Sequence, residues 1–345
     1  MKKIIIVFSV LFSMGCASLP SHYVSLDHHT AESLDAVLKK IETERVVFIG
    51  EIHGTTSIHL LQLKIIKYLH QRGRQVAVAL EAFPSGKQFI FNRWIERTLD
   101  EHDFEGIYKE TWSVPYEYYR EILMYAREEN IPLIAINADN AMIGAVSKYG
   151  LHQVSEDFLR EIKFTDCSTD AQYKEIIGKT YHAAEFPFLC DGQRLRDSVM
   201  AYNIAHAMRG NKATMVVLVG ATHAMKIAVP RMLQSHDAVS YTVLMPETVS
   251  RIIRRPPDLD IADYIYGINI VMPNLSAVPG VPQTRIPCSK EPADNSRSWC
   301  GDRYASLLAF VTILILYCNH NNHDGGGCYD FCGNKRIEDK AQQLC

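Results

Sequence analysis

Short apolar runs recur along the chain, and several close on a polar group. Val46 to Ile49 leads into Gly50-Glu51-Ile52-His53, Val76 to Leu80 into Glu81-Ala82-Phe83-Pro84, and Met215 to Val219 into Gly220-Ala221-Thr222-His223. Pro132 to Asn137 ends in Asn137-Ala138-Asp139-Asn140, and Ser240 to Leu244 gives a fifth run. Runs that are apolar throughout read as strands buried on both faces. The segments between them carry helical spacing. Ser33 to Arg45 predicts a short amphipathic helix, and Ile58 to Gln71 has apolar residues at 58, 60, 61, 65, 66 and 69. Phe89 to Glu129 reads as helical and rich in aromatics. Residues 154 to 209 read as helical with breaks near Cys167 and Pro187, and 257 to 272 offers one more pairing strand. Strands alternating with helices predict an α/β fold, a mostly parallel β-sheet flanked by helices.

Composition narrows the class. A chain of 345 residues holds one large domain or two small ones. A formal charge of -3 offers no basic surface for a polyanion, so no nucleic acid is expected. The nine cysteines are uneven: Cys16 in the leader, Cys167 and Cys190 mid-chain, and six beyond residue 287. A disulfide scaffold would spread them through the core.

The N-terminus reads as a targeting segment. Met1-Lys2-Lys3 precedes an apolar run from Ile4 to Leu11 that is too short to span a bilayer. Ser13-Met14-Gly15-Cys16 then resembles a bacterial lipoprotein signal, with cleavage before Cys16 and a lipid on Cys16 as the membrane attachment. Ser13 departs from the usual Leu, and ordinary export with cleavage nearby is the alternative. Ala17 is not the Asp that retains such proteins in the inner membrane, so the expectation is a lipid-anchored envelope protein at the outer membrane, facing the periplasm. The domain reading is a signal peptide over 1–16, an N-terminal linker and helix over 17–39, a single domain over 40–272, and a low-order C-terminal extension over 273–345. In that extension His320, His323, Cys328 and Cys332 invite a zinc reading, but the adjoining glycine run argues against a rigid site.

The strand exits carry the candidate chemistry. In a parallel sheet Glu51, His53, Glu81, Asn137 and His223 gather at one edge. Glu51, His53 and His223 could hold a divalent metal such as Zn, Mn, Fe or Co, or an imidazole could act as a base with an orienting acid. The plainer readings are hydrogen-bonded structural histidines, Glu51 as a helix cap, and Glu81 paired with Arg194 or Arg196. A second set lies in the helical stretch. Haem needs an apolar slot, an axial Tyr or His, and cations for its propionates, and Tyr173, Lys179, Tyr181 and His182 offer those groups. Tyr116, Tyr118 and Tyr119 form a second aromatic cluster; any of these tyrosines could instead be core. The chain contains no Cys-x-x-Cys-His, so haem would be bound non-covalently.

Several separated motifs, taken together, resemble a known family. They are Gly50-Glu51-Ile52-His53 with His59 and Gln62, Glu81-Ala82-Phe83, Gln193-x-x-Arg196-Asp197-x-x-Met200-Ala201, and Gly220-Ala221-Thr222-His223-Ala224. Over residues 40 to 272 the chain is similar to the ChaN family of iron-regulated, haem-binding bacterial lipoproteins. That family belongs to a superfamily with the Tiki metalloproteases, TraB proteins and EreA-type erythromycin esterases. The resemblance implies an EreA/ChaN-like fold and haem binding for uptake, as a homodimer bridged by haem. From the wider superfamily it implies a hydrolytic, protease- or esterase-like site at Glu51, His53, Glu81 and His223. On this reading the two functions occupy different parts of the surface, and the family motif does not fix the haem ligand.

Overall fold

The structure, a computed structural model, describes residues 19–20, 22–181, 186–248 and 261–267. Cys16, His182, the leader and the segment 273–345 lie outside the described residues. Among the described residues there are eight strands, most of them separated by helices. They are β1 (Tyr23–Ser25), β2 (Thr30–Glu32), α1 (Leu34–Ile41), β3 (Val46–Glu51), α2 (Thr56–Gln71), β4 (Val76–Pro84), α3 (Gln88–Ile95), α4 (Glu101–Thr111), α5 (Tyr116–Glu128) and β5 (Leu133–Asn137). There follow α6 (Asn140–Tyr149), α7 (Glu156–Glu161), α8 (Ala171–Thr180), α9 (Leu189–Met208), β6 (Thr214–Gly220), α10 (Ala221–Ala224), α11 (Val229–His236), β7 (Tyr241–Pro246) and β8 (Tyr264–Tyr266).

The strands form one sheet in the order β2-β1-β8-β7-β3-β6-β4-β5. From β8 to β5 all pairings are parallel, and β1 adds an antiparallel edge between β8 and β2. The mostly parallel sheet expected from the pattern is therefore present. The antiparallel edge was invisible in sequence because β1 and β2 are three residues each, and they fall in the segment read as linker and helix. The aromatic-rich stretch 89–129 is three helices. Asp100 caps α4 through its side chain, and Pro115 precedes α5, so two starts interrupt what the periodicity presents as continuous.

The pleat divides the core. Val47, Ile49, Val78, Leu80, Val216 and Leu218 face the layer of α2 to α5, while Val46, Phe48, Ala77, Ala79, Met215 and Val217 face the layer of α8 to α11. Gly50 allows the second layer to close. A Cβ there would lie 2.5 Å from Met245 Sδ and 3.0 Å from Ala224 Cβ, so the bare backbone lets α10 and the Met245 side chain close over the end of β3. Among the described residues no helix is long and apolar enough to cross a membrane.

Candidate functional site at the carboxyl ends of the strands

Parallel register sets the site. Glu51 at the end of β3 pairs with Gly220 at the end of β6, and β4 flanks β6 on its other side. Glu81 lies just past the last regular β4–β6 pair at Leu80, where the β4–β5 register also shifts. Its carboxylate Oε2 accepts the Gly220 N–H at 2.6 Å. Asn137 at the end of β5 donates to the Glu81 carbonyl at 2.8 Å, a structural role that fixes the strand exit.

Two acid–imidazole couples stand at this edge. In the first, His53 Nδ1 donates to Glu51 Oε1 at 2.7 Å. The Tyr119 hydroxyl donates to the same oxygen, and Gln62 Nε2 donates to Oε2 at 2.6 Å. Gln62 in turn accepts from His59 Nδ1 at 2.9 Å, which leaves the buried His59 Nε2 unpartnered among the described residues. Burial opposes the Glu51 charge, yet the His53 bond, the nearby His59 and the Tyr119 donor outweigh it and hold the carboxyl down at about 2.

In the second couple, His223 Nδ1 donates to Asp197 Oδ1 at 2.5 Å. Tyr173 donates its phenolic proton to Asp197 Oδ2 at 2.6 Å. Both imidazoles are displaced in the same direction. Burial lowers each, but for His53 the Glu51 bond and Glu81, and for His223 the Asp197 and Glu81 charges, raise it above the usual range.

The couples converge over Gly220. A Cβ on that residue would lie 3.3 Å from His53 Nε2, 3.4 Å from Glu81 Oε2 and 3.5 Å from His223 Cδ2. His223 Nε2 stands 3.6 Å from Glu81 Oε1. Each imidazole therefore has its Nδ1 fixed by a carboxylate and its Nε2 directed at one small space. A carboxylate on Nδ1 selects the tautomer and makes Nε2 a better base or a better ligand for iron. Glu51, Glu81, Asp197 and His223 are buried, whereas the His53 side chain is 38% exposed.

Some candidates fall elsewhere or take other roles. Tyr173 is buried, with its oxygen committed to Asp197 and its phenol pushed well up, first by burial and then by the Asp197 charge. Tyr181, half-buried, bonds to Thr222 and lies within the field of Glu81, Arg196 and Asp197; burial first, then Glu81, pushes it up to about 12. Lys179 pairs with Glu175 at 2.5 Å within α8. The tyrosines read as a separate surface thus lean on the same cluster as the strand exits. Arg196, one of two partners anticipated for Glu81, lies 3.8 Å from it, while Arg194 binds Asp170 at 3.1 Å instead. Among the described residues no group of three His, Cys, Asp or Glu side chains converges as a metal site requires. Sequence reasoning missed Asp197 and Tyr119 as partners. A trace existed for Asp197: α9 buries Gln193, Arg194, Asp197 and Ser198, polar residues that an ordinary core helix would not place inside.

A sheet with carboxylate-held imidazoles at its strand exits defines a class of α/β proteins whose chemistry lies beyond the carboxyl ends of the strands. Within it, the chain belongs to the family described as haem-binding uptake, Tiki superfamily, ChaN: the family model matches residues 37–233, more than half of the chain and all of the site residues above. Among solved structures, ChaN of Campylobacter jejuni, described as binding haem cofacially, is 16% identical, covering 71% of this chain and 96% of its own at a TM-score of 0.52. An erythromycin esterase, EreC, in its open conformation is 16% identical over 65% of this chain and 76% of its own, at a TM-score of 0.41. A curated relative, RETICULATA-RELATED 5 of the Arabidopsis thaliana chloroplast, is 29% identical over 127 residues, 35% of this chain and only 17% of that protein.

Proposed function

We propose that this protein is a haem-binding envelope lipoprotein of bacterial haem and iron uptake, with His53 as the axial ligand. The observation that carries the reading is that the ChaN family match spans the residues which hold His53 in a ligating posture. Its Nδ1 is engaged by Glu51, its Nε2 is not committed to an acid, and its ring reaches the surface beside Trp112, at 5.3 Å between centroids in an edge-on contact. Those are the features of an iron-binding imidazole with a flanking aromatic wall. Bound haem would supply a ferric centre that accepts one nitrogen ligand. Tyr173 serves Asp197 on this reading, and Tyr181 is the competing ligand. A lipid on Cys16 anchors the chain at the outer membrane facing the periplasm, and a second copy covers the other face of the haem. The Cys167–Cys190 disulfide fits an oxidising compartment. The test is a haemin titration of the form starting at Ala17, followed by absorbance and sedimentation. A saturable Soret band that is lost in His53→Ala and kept in Tyr181→Phe is expected, together with dimer formation. The reverse pattern moves the ligand to Tyr181, and no Soret band in the parent protein overturns the reading.

A second reading rests on the convergence of two imidazoles and Glu81 over Gly220. That arrangement suits hydrolysis of an ester or peptide, with one imidazole taking a proton from water and the other delivering one to the leaving group. Turnover of an ester and peptide panel, abolished in both His53→Ala and His223→Ala, supports it; metal analysis of the same samples tests whether Zn, Mn, Fe or Co takes part. No turnover in the parent protein removes this reading.

A further inference from the structure

Arg196 is a sparsely satisfied charged group at the site. It lies on α9 with its side chain 19% exposed. A guanidinium carries five N–H donors in a planar fork. Here Nη1 is 3.8 Å from Glu81 Oε1, beyond hydrogen-bonding range, and Nη2 reaches Asn140 Oδ1 only at 3.4 Å. Its Nε is buried without a partner among the described residues. Arg194, two residues earlier on the same helix, shows what a structural arginine looks like in this fold. Its Nη1 binds Asp170 at 3.1 Å, its Nη2 binds Thr165 at 2.6 Å, and its plane lies over the Tyr173 ring at 4.8 Å, with Nε alone left over.

Buried donors without acceptors are uncommon and costly, so two at one site call for an acceptor. A second unused donor lies close by. Trp112 Nε1–H is buried and unpartnered, and its ring stands against His53. Trp112 packs against His53, and Arg196 faces Glu81, and those two partners meet at Gly220. Glu81 answers Arg196 only as an ion pair at 3.8 Å and not as a hydrogen-bond acceptor. Its Oε2 is taken by the Gly220 N–H, and its Oε1 faces His223.

We infer that Arg196 is the receptor for a carboxylate on the ligand that binds at these strand ends, with the Trp112 N–H as a second donor. A planar fork and a carboxylate match in a bidentate pair. Under the haem reading above, on which this deepening rests, the carboxylate is a haem propionate; a free dicarboxylic acid carries the same group.

The experiment separates those cases and keeps the two readings apart. Haemin and its dimethyl ester, which lacks the propionate charges, are titrated into the soluble protein and into Arg196→Gln and Arg196→Lys. In parallel, glutarate is titrated into 15N-labelled protein while the Arg196 Nε–H cross-peak is followed. The expected result is at least ten-fold tighter binding of haemin than of the ester, a preference lost in Arg196→Gln and only partly restored in Arg196→Lys, which keeps the charge without the fork. Haemin and ester binding the parent protein alike overturns the inference while haem binding stands. A haemin preference that persists in both variants overturns it as well. If haemin does not bind but glutarate shifts the Arg196 peak saturably, the haem reading falls and the carboxylate site is upheld. If neither ligand has an effect, both fall.

Discussion

Asp197 and His223 lie 26 residues apart in sequence, on α9 and α10, and 2.5 Å apart in space. Tyr173 on α8 completes the line from the far side of the carboxylate. Replacing the phenol with Tyr173→Phe removes one donor from a buried charged acceptor and should cost about 2 kcal/mol, read from the denaturant midpoint. The haem absorption spectrum should not change, because on this reading the oxygen positions Asp197 and does not touch iron. Asp197→Asn removes the counter-charge, and the His223 titration, followed by NMR, should move to lower pH.

Stability should have two pH limbs of opposite sign. Glu51 is held down from its ordinary 4.5 to about 2. A depressed carboxyl stabilises the fold above its unfolded value and loses that contribution as pH falls through the folded one, here between about 4.5 and 2. The amount is on the order of 3 kcal/mol. His53 and His223 are raised above 6.5. Their contribution is fully present below 6.5 and fades as pH rises through the folded values. Thermal melts across pH should therefore peak between the limbs, and Glu51→Gln should flatten the acid one.

The two strand-end glycines should respond differently to a methyl group. Gly50→Ala puts a Cβ 2.5 Å from Met245 Sδ, inside the core, and overpacking of that kind costs about 1–3 kcal/mol of stability. Gly220→Ala meets His53 Nε2 at 3.3 Å and Glu81 Oε2 at 3.4 Å, in the site itself. It should fold with a smaller loss but weaken any ligand held by His53 at least ten-fold. Paired melting and haemin titrations distinguish the two.

Opening the Cys167–Cys190 bridge releases a segment closed over a separation of 23 residues. In the chain-entropy account that is worth about 3 kcal/mol. Cys167→Ser should lower the melting temperature in oxidising buffer by as much as reduction lowers that of the parent protein, with no further loss when both are combined.

The five long strands and the sheet class were legible because each strand is buried on both faces and so is apolar without alternation. The acids and imidazoles at the exits were legible for the same reason: a polar residue directly after such a run stands out. What attaches to them was not. Asp197 reaches His223 from another helix, and Tyr119 reaches Glu51 across 68 residues; neither distance leaves a local pattern. Sequence spacing likewise placed Tyr173 and Tyr181 on a surface of their own, although the packing of α8 against α9 brings them to Asp197 and Glu81. The polar residues on the buried side of α9 were the one local sign of that connection.

The strand order has a consequence for synthesis. β6 lies between β3 and β4, and 139 residues separate Glu81 from the Gly220 N–H that it accepts. A nascent chain therefore exposes two apolar strand edges, and the acids Glu51 and Glu81, long before the strand that joins them leaves the ribosome. No fragment ending short of Gly220 can contain the site. Unpaired edges of that kind attract other chains, so the growing polypeptide is an expected client for a holding chaperone until β6 has been made.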